Sequence, residues 1–198
     1  MASRRDEGLD RRAGPQPRLR HTCPVRVFVA VDLPGPTMQL LQLLSRPARR
    51  GIQWTTPARW HITLRFLGEV DDPGAVAEAL SCLGSGWRGG AVEAALGTTT
   101  AWFPSGRVLH VPVAGLDALA GAVRDATSRW RQLGEPTFLG HVTLARFRGR
   151  GAAPEDLAGA SAAARFKVRE VVLYESPPGS RGALYRAFSR VPLIERRR

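Results

Sequence analysis

The sequence predicts an α+β fold of two pseudo-symmetric lobes that face each other across a central cleft. Two observations lead to this bilobal arrangement. The tetrapeptide HITL at residues 61–64 recurs as HVTL at 141–144, and strand-like and helix-like segments follow one another with a similar rhythm in both halves of the chain. Residues two positions apart on a strand share one face, so each copy presents a histidine and a threonine together. We therefore expect two mixed or antiparallel sheets flanked by helices, with the two motif strands side by side.

The chain of 198 residues is long enough for one such domain, which we expect over 25–192. Residues 1–24 are charged and without apolar periodicity, which predicts a disordered basic tail, and 193–198 form a second basic tail. No apolar run approaches the roughly 18 residues that span a bilayer, and the N-terminal stretch lacks the apolar region of a secretory signal. These features predict a cytoplasmic protein with no membrane partner.

The first half of the chain alternates strands and helices. Residues 25–34 form a β-branched run that ends at a proline and predicts a buried strand. Residues 36–45 predict a helix with proline in its first turn. The first motif strand spans 60–68, and the helix that follows at 71–83 begins with acidic residues, as the helix dipole favours.

The second half begins with a hairpin and the clearest helical pattern. Residues 91–103 and 107–113 predict two strands joined by the turn sequence FPSG. The apolar residues of 116–134 keep helical spacing up to Gly134, which suits the position just after a helix.

The remaining segments repeat the strand and helix rhythm. The second motif strand spans 141–147 and is followed by an alanine-rich helix at 154–164. Two strands at 166–175 and 183–191 flank the loop SPPGSRG. The predicted order is therefore β-α-β-α-β-β-α-β-α-β-β.

The charge of the chain favours an anionic partner. The formal net charge is +12, carried by 28 arginines and a single lysine, Lys167. The segments 1–24 and 196–198 each contribute +3, so the body keeps about +6, which suits RNA or a nucleotide. The coding bias of a GC-rich genome is an alternative source of this arginine content.

Several classes of enzyme are excluded by absent motifs. No G-x-x-x-x-G-K-[ST] is present, so a P-loop is excluded, and the single lysine is not in the motif of an ATP-dependent ligase. No G-x-G-x-x-G follows a strand. Cys23 and Cys82 form neither a metal-ligand nor a disulfide pattern, so we expect no metal site and a reducing compartment.

The paired motif is suited to acid–base chemistry on a phosphodiester. Imidazole has a pKa of about 6.5, so His61 and His141 can act near neutral pH with one giving a proton and the other taking one. The hydroxyls of Thr63 and Thr143 can hold a tetrahedral group from two sides. Arg146 adds a guanidinium suited to phosphate oxygens. Among phosphodiesters, a 2′,3′-cyclic phosphate suits this set of residues best, because its five-membered ring is strained.

The doubled motif resembles that of the two-histidine (2H) phosphoesterase superfamily. Within it, HITLRFLGEV, FPSGRVLHV, HVTLARF and RVFVAVDLP are similar to segments of the bacterial and archaeal RNA 2′,3′-cyclic phosphodiesterases, long named 2′-5′ RNA ligases. The resemblance covers roughly 25–192 and implies a 2H phosphoesterase fold. It departs from the family pattern at Gly140, where proline is usual, and at His110, where tryptophan is usual. Gly140 is expected to loosen the start of the second motif strand.

The resemblance also implies roles for individual residues. The family opens the cyclic phosphate to a 2′-phosphomonoester, with His61 as the acid that protonates O3′ and His141 as the base that activates water. Thr63, Thr143 and Arg146 would bind the phosphate. The reverse reaction would join a 5′-hydroxyl to the cyclic end through a 2′-5′ linkage without ATP, and no cofactor or metal is implied. We expect a monomer.

For several further residues the sequence leaves two roles open. Phe66 is either a stacking surface for the terminal base or a core residue, and Arg65 is either an RNA contact at the rim or a solvated charge. His110, Tyr174 and Tyr185 either line the cleft or pack. The alternative functions are a phosphodiesterase of small cyclic nucleotides and a non-catalytic nucleotide- or RNA-binding module.

Overall fold

A computed structural model describes residues 24–87, 90–130, 132, 134–176 and 185–193. Within these residues the chain forms ten strands and three α-helices, in the α+β class expected from the sequence. The strands are β1 (Val25–Asp32), β2 (Ile52–Trp54), β3 (His61–Val70), β4 (Val92–Leu96), β5 (Ala101–Trp102), β6 (Val108–Ala114), β7 (His141–Phe147), β8 (Ala164–Val168), β9 (Glu170–Ser176) and β10 (Arg186–Pro192). The helices are α1 (Gly35–Gln42), α2 (Pro73–Gly86) and α3 (Asp117–Ala126).

The strands form two similar halves that meet at the motif strands. The order is β10-β9-β1-β3 in one half and β7-β6-β4-β8 in the other, with β2 added to β7 and β5 to β6. Every pairing between these described strands is antiparallel. The halves are joined by one residue pair, Ile62 of β3 and Val142 of β7. The predicted pseudo-symmetric bilobal architecture is confirmed, with each motif strand innermost in its lobe.

Helices α2 and α3 pack against the sheet and against each other. In α2, Asp72 Oδ1 accepts a hydrogen bond from Ala75 N at 3.1 Å and Pro73 occupies the first turn, which together fix where the helix begins. Helix α2 packs against β10 and α3, and α3 packs against β3. Ile62 and Val142 are fully buried in the apolar core beneath them. None of these described helices is long and apolar enough to cross a membrane.

The helix predicted over 116–134 is shorter in the structure. It ends at Ala126 and is followed by a 3-10 turn over Ser128–Trp130. Thr127 Oγ1 bonds back to the carbonyl of Val123 at 2.6 Å, and the guanidinium of Arg65 donates to the carbonyl of Arg124 at 2.9 Å. These side chains take the place of the next helical turn at the carbonyl end. The predicted end at 134 is therefore wrong.

The alanine-rich helix predicted over 154–164 does not form. Only a 3-10 turn is present, over Glu155–Leu157. The backbone of the rest pairs with a distant segment, because Thr100 N donates to Ala160 O at 2.9 Å and Ala162 N donates to Thr98 O at 2.9 Å. Long-range hydrogen bonding has overridden the helix propensity of alanine.

Two predicted strands are each divided. The segment 91–103 contains β4 and the separate short strand β5. The segment 166–175 contains the end of β8 and most of β9, which belong to different lobes: β8 is the last strand of one, and β9 lies between β10 and β1 in the other. Strand β2 was not predicted. The two terminal tails lie outside the described residues, apart from positions 24 and 193, and their predicted disorder and the domain limits stay predictions.

Candidate active site

The two motif strands place both histidines and both threonines on one face. Because β3 and β7 are antiparallel and Ile62 pairs with Val142, His61 lies across from Thr143 and Thr63 lies across from His141. The apolar Ile62 and Val142 point to the opposite face and are fully buried. The structure thus brings together the four residues that the doubled motif singles out.

A β-bulge follows the motif in each strand. On β1, Val29 pairs with Arg65 and Ala30 pairs with Thr63, so Leu64 is left without a partner. The bulge reverses the alternation of side chains. Arg65 is consequently buried, whereas Phe66 returns to the cleft face and is 61% exposed.

The same bulge occurs in the second copy. On β6, Leu109 pairs with Ala145 and His110 pairs with Thr143, which leaves Leu144 unpaired. The burial patterns of the first seven residues of β3 and β7 are identical. The two copies therefore correspond position by position. Arg146 occupies in its lobe the position that Phe66 occupies in the other.

Both imidazoles are oriented by the same local contact. His61 Nδ1 lies 2.8 Å from the carbonyl oxygen of Arg59, and His141 Nδ1 lies 2.7 Å from that of Leu139. A carbonyl can only accept, so Nδ1 carries the proton and donates in each case. Nε2 of each ring is the nitrogen left for a ligand in the cleft, and this symmetric arrangement suits one ring to take a proton and the other to give one.

The cleft has a volume of about 380 Å³ and is cationic. Its lining consists of Gln53, Trp54, Thr55, Arg59, His61, Thr63, Phe66, Phe103, Val108, His141, Thr143, Arg146, Arg148 and Tyr185. No carboxylate is among these described residues. Arg59, Arg146 and Arg148 form no ion pair within the described part of the chain. Unpaired guanidinium groups around two histidines make this a site for an anion.

His61 lies in an aromatic surround that favours its neutral form. Its ring centroid is 5.0 Å from that of Phe28 and 5.3 Å from that of Tyr185, in an edge-to-face contact with the latter. Burial lowers the pKa of His61, and the charges of His141 and Arg59 lower it further, whereas the main-chain hydrogen bond and the carboxylate of Asp32 oppose this shift.

Asp32 is held beside His61 by a polar network. Tyr174 donates its hydroxyl to Asp32 Oδ1 at 2.6 Å, and Arg190 Nη1 lies 3.0 Å from Oδ2. Arg190 also pairs with Glu170. Burial and the hydrogen bond to Asp32 raise the pKa of the Tyr174 hydroxyl, so it stays protonated and remains a donor.

His141 has a different surround. Phe103 contacts it edge-on, with ring centroids 4.9 Å apart, and Phe103 in turn stacks on His110 at 3.9 Å. His110 is 7% exposed and does not line the cleft, which favours a packing role over a cleft role. Burial lowers the pKa of His110, which favours its neutral form.

Tyr174 and Tyr185 have different positions relative to the cleft. Tyr185 lines the cleft, where its hydroxyl accepts from Arg59 Nη2 at 3.1 Å, whereas Tyr174 contacts Asp32. The cleft also contains three residues that the sequence reasoning missed, Arg59, Gln53 and Arg148. The single basic residue of the segment ARW, just before HITL, was the available signal for Arg59.

Two sequence expectations about neighbouring residues are wrong. Arg65 is neither at the rim nor solvated, since it is 4% exposed and ion-paired with Glu135. Gly140 does not loosen β7, because a Cβ there would collide with the carbonyl oxygen of Val113, and Val113 N donates to Gly140 O at 2.7 Å. Glycine permits this close approach.

Comparison with solved structures agrees with the architecture. The structure of TT0787 of Thermus thermophilus is 25% identical with a TM-score of 0.68, covering 87% of this chain and 100% of that one. E. coli LigT complexed with 3′-AMP is 27% identical with a TM-score of 0.64, and LigT complexed with ATP is 25% identical with a TM-score of 0.63; each covers 87% of this chain and 99% of LigT. No curated protein sequence matches.

The fold is similar to that of the LigT-like 2H phosphoesterases, and the doubled histidine–threonine motif lies at its centre. The family model of LigT-like phosphoesterases matches residues 31–88 of this chain. That match includes the end of β1 and the first motif strand, and the structural similarity extends over both lobes.

Proposed function

We propose that this protein opens 2′,3′-cyclic phosphate ends of RNA to 2′-phosphomonoesters, with His61 and His141 as the acid–base pair. One observation carries the proposal: both rings have Nδ1 fixed by a main-chain carbonyl, which leaves Nε2 of each for one cationic cleft. Opening the ring needs one proton removed from water and one delivered to the departing oxygen, and two opposed imidazoles provide both.

The proposed steps assign each group a task. His141 Nε2 takes a proton from water as the water oxygen attacks phosphorus, the P–O3′ bond breaks, and His61 Nε2 gives its proton to O3′. Thr63 and Thr143 donate hydrogen bonds to the non-bridging oxygens, and Arg146 neutralises their charge. Every proton and charge is handled by the chain itself, so the proposal uses no metal or cofactor.

The acid role of His61 depends on the bound substrate. Burial lowers its pKa in the empty site, which favours the neutral ring. A phosphodiester anion bound between the two lobes raises that pKa, because an opposite charge at short range favours the protonated form. The substrate thereby helps to charge the acid that it needs.

RNA is favoured over a small cyclic nucleotide by the extra cations. Arg146 suffices for the reacting phosphate, yet Arg59 and Arg148 also line the cleft without carboxylate partners in the described chain. A strand with further phosphates uses these positions. Phe66, exposed on the cleft face, provides a stacking surface for the terminal base. We further expect a cytoplasmic monomer.

The test uses a short RNA with a 2′,3′-cyclic phosphate end, in buffer with EDTA, and identifies the product phosphate as 2′ or 3′. We expect a 2′-phosphate, and a loss of about 10²–10⁴ in rate in both His61→Ala and His141→Ala. His110→Phe is the matched control, since it changes a nearby buried histidine outside the cleft and keeps an aromatic ring against Phe103. Wild-type protein that binds the RNA without turnover would instead support a binding module.

A further inference from the structure

An exposed group of arginines continues the cationic wall of the cleft beyond the end of β7. We call it the β7-end cluster, and it consists of Arg50, Arg107, Arg148 and Arg150. Arg148 also lines the cleft, and Arg107 directly precedes Val108, which lines it too. The cluster therefore begins in the catalytic cleft and extends from there onto the surface of the same lobe.

Backbone contacts bring the three chain segments of the cluster together. Arg148 N donates to Gly51 O at 2.8 Å, and Phe147 N donates to Arg107 O at 2.9 Å. The approach is close, because a Cβ on Gly51 would lie 2.8 Å from the backbone of Gly149. Arginines from distant parts of the sequence are thus gathered around the end of β7.

The arginines of the cluster have no carboxylate partners. None of the four forms an ion pair within the described part of the chain. Of the two carboxylates that follow the cluster in the sequence, Glu155 forms no ion pair with it and Asp156 pairs with Arg49. In the described strands other than β7, by contrast, every arginine is ion-paired, namely Arg26, Arg65, Arg165, Arg186 and Arg190. Unpaired like charges held close together favour the binding of a polyanion.

Two of the guanidinium groups are oriented and still have donors to offer. Arg107 Nη1 donates to Gly149 O at 2.7 Å, and Arg148 Nε donates to Gln53 Oε1 at 3.0 Å. A guanidinium has five N–H donors, so most of them stay available for phosphate oxygens. Gln53 lines the cleft, and since its oxygen is engaged by Arg148, its amide nitrogen is the group left to donate to a ligand.

The two lobes offer different surfaces to the two ends of an RNA. Phe66, the proposed stacking surface for the terminal base, belongs to the lobe of His61, whereas the β7-end cluster belongs to the lobe of His141. On the His61 side, the described cleft lining contains one arginine, Arg59. With the terminal base on Phe66, the chain that precedes the last nucleotide therefore has most cationic surface available over the end of β7.

We propose that the β7-end cluster binds the backbone of the RNA upstream of the cyclic end, where that RNA leaves the cleft over the lobe of His141. This inference rests on the proposed function and deepens it, because it makes an RNA of several nucleotides the preferred substrate. The contacts are made to phosphates and not to base edges, so they are independent of sequence.

The test compares two substrates with the same cyclic phosphate end, a dinucleotide and a single-stranded RNA of about 12 nucleotides. Arg50→Gln combined with Arg150→Gln removes two charges of the cluster. Neither side chain lines the cleft or forms an ion pair within the described residues. Lys167→Gln combined with Arg169→Gln is the matched control, because it removes two exposed and unpaired charges at the end of β8, the last strand of the same lobe.

For the longer RNA, we expect the KM of the cluster variant to rise about 3- to 30-fold at low salt, because two exposed charge contacts are lost. Its kcat should stay within about twofold, since these residues do not reach the reacting phosphate. Two phosphate contacts contribute about 1.4 to the slope of log KM against log salt, so between about 50 and 200 mM salt the wild-type KM should rise about sevenfold more than that of the variant. Both constants should stay within about twofold of wild type for the dinucleotide, and for the control variant on either substrate.

Several outcomes would overturn the inference while the proposed function stands. These are an unchanged KM of the cluster variant for the longer RNA, equal rises for the two substrates, and equal effects of the cluster and control variants. If the wild type opened neither substrate, the proposed function itself would fail. Fluorescence anisotropy of the same RNA ending in a 2′-phosphate would then decide the inference, through the same comparison of Kd between the cluster and control variants.

Discussion

Replacing Arg65 by methionine should destabilise the fold. The guanidinium makes four hydrogen bonds: Nε and Nη2 to the carboxylate of Glu135 at 2.6 and 2.9 Å, and Nη1 to Arg124 O at 2.9 Å and Thr127 Oγ1 at 2.7 Å. Arg65 therefore ties the first motif strand to the end of α3 and to the segment that leads into the second motif. Methionine is an unbranched side chain of comparable length, so the change removes the charge and the donors with little change in volume.

The magnitude follows from the burial of the pair. The Arg65 side chain is 3% exposed and that of Glu135 is 22% exposed. Removing one partner of a buried ion pair costs about 3–5 kcal/mol, because the other charge stays desolvated without compensation. At roughly 2–4 °C per kcal/mol for a chain of this size, the midpoint of thermal unfolding should fall by about 6–20 °C.

The assay compares thermal unfolding of Arg65→Met with that of Arg165→Met. Arg165 also makes a 2.9 Å ion pair, with Glu93, but these side chains are 77% and 58% exposed, so the control should lose only about 0–1 kcal/mol. The double variant Arg65→Met with Glu135→Gln should lose less stability than the two single changes added together. Equal shifts in Arg65→Met and Arg165→Met would refute the reasoning from burial.

Three further predictions concern the cleft. Asp32→Asn should lower the pKa of His61 still further, because the carboxylate of Asp32 opposes the effect of burial. The measurement is the pH profile of kcat/KM. If His61 is the acid, the alkaline limb of that profile should move to lower pH. Gly140→Ala should destabilise the protein by about 1–3 kcal/mol in denaturant unfolding, because its Cβ collides with the carbonyl of Val113. Phe66→Ala should leave stability within about 0.5 kcal/mol and raise KM for RNA by about 5- to 100-fold, since the ring is 61% exposed.

Each of these has its own control or contrary outcome. Glu170→Gln removes a carboxylate from the same network without affecting the pKa of His61, so neither limb should move. A shift of the acidic limb in Asp32→Asn would assign His61 as the base. Unchanged unfolding of Gly140→Ala would show that Val113 gives way. A large loss of stability in Phe66→Ala would identify the ring as a packing residue.

The central part of the fold was predictable because the sequence pattern that indicates it is short and occurs twice. The spacing of His61 and Thr63, repeated at His141 and Thr143, was enough to predict two adjacent strands with these side chains on one face. The alternation after Leu64 was not predictable in this way. The bulge depends on which residues of β1 pair with β3, and that register is a property of the partner strand.

The role of Arg65 was hidden for a related reason. Its partner Glu135 is 70 positions away along the chain, in a segment with no regular structure. The same contact also ends helix α3, so the mistaken helix limit at 134 and the mistaken position of Arg65 have one cause. Long-range pairing likewise replaced the alanine-rich helix, where local propensity was the only guide available from the sequence.

The two lobes are similar, but the residues that their bulges bring to the cleft are different. The cleft can therefore distinguish the two ends of a ligand. Each bulge brings the sixth residue of its strand to the cleft, and these residues differ: an aromatic ring at Phe66 and a guanidinium at Arg146. A ligand that carries a flat ring at one end and an anion at the other can therefore be bound well in only one orientation. This difference favours one direction for a bound strand, and exchanging Phe66 and Arg146 should weaken that preference.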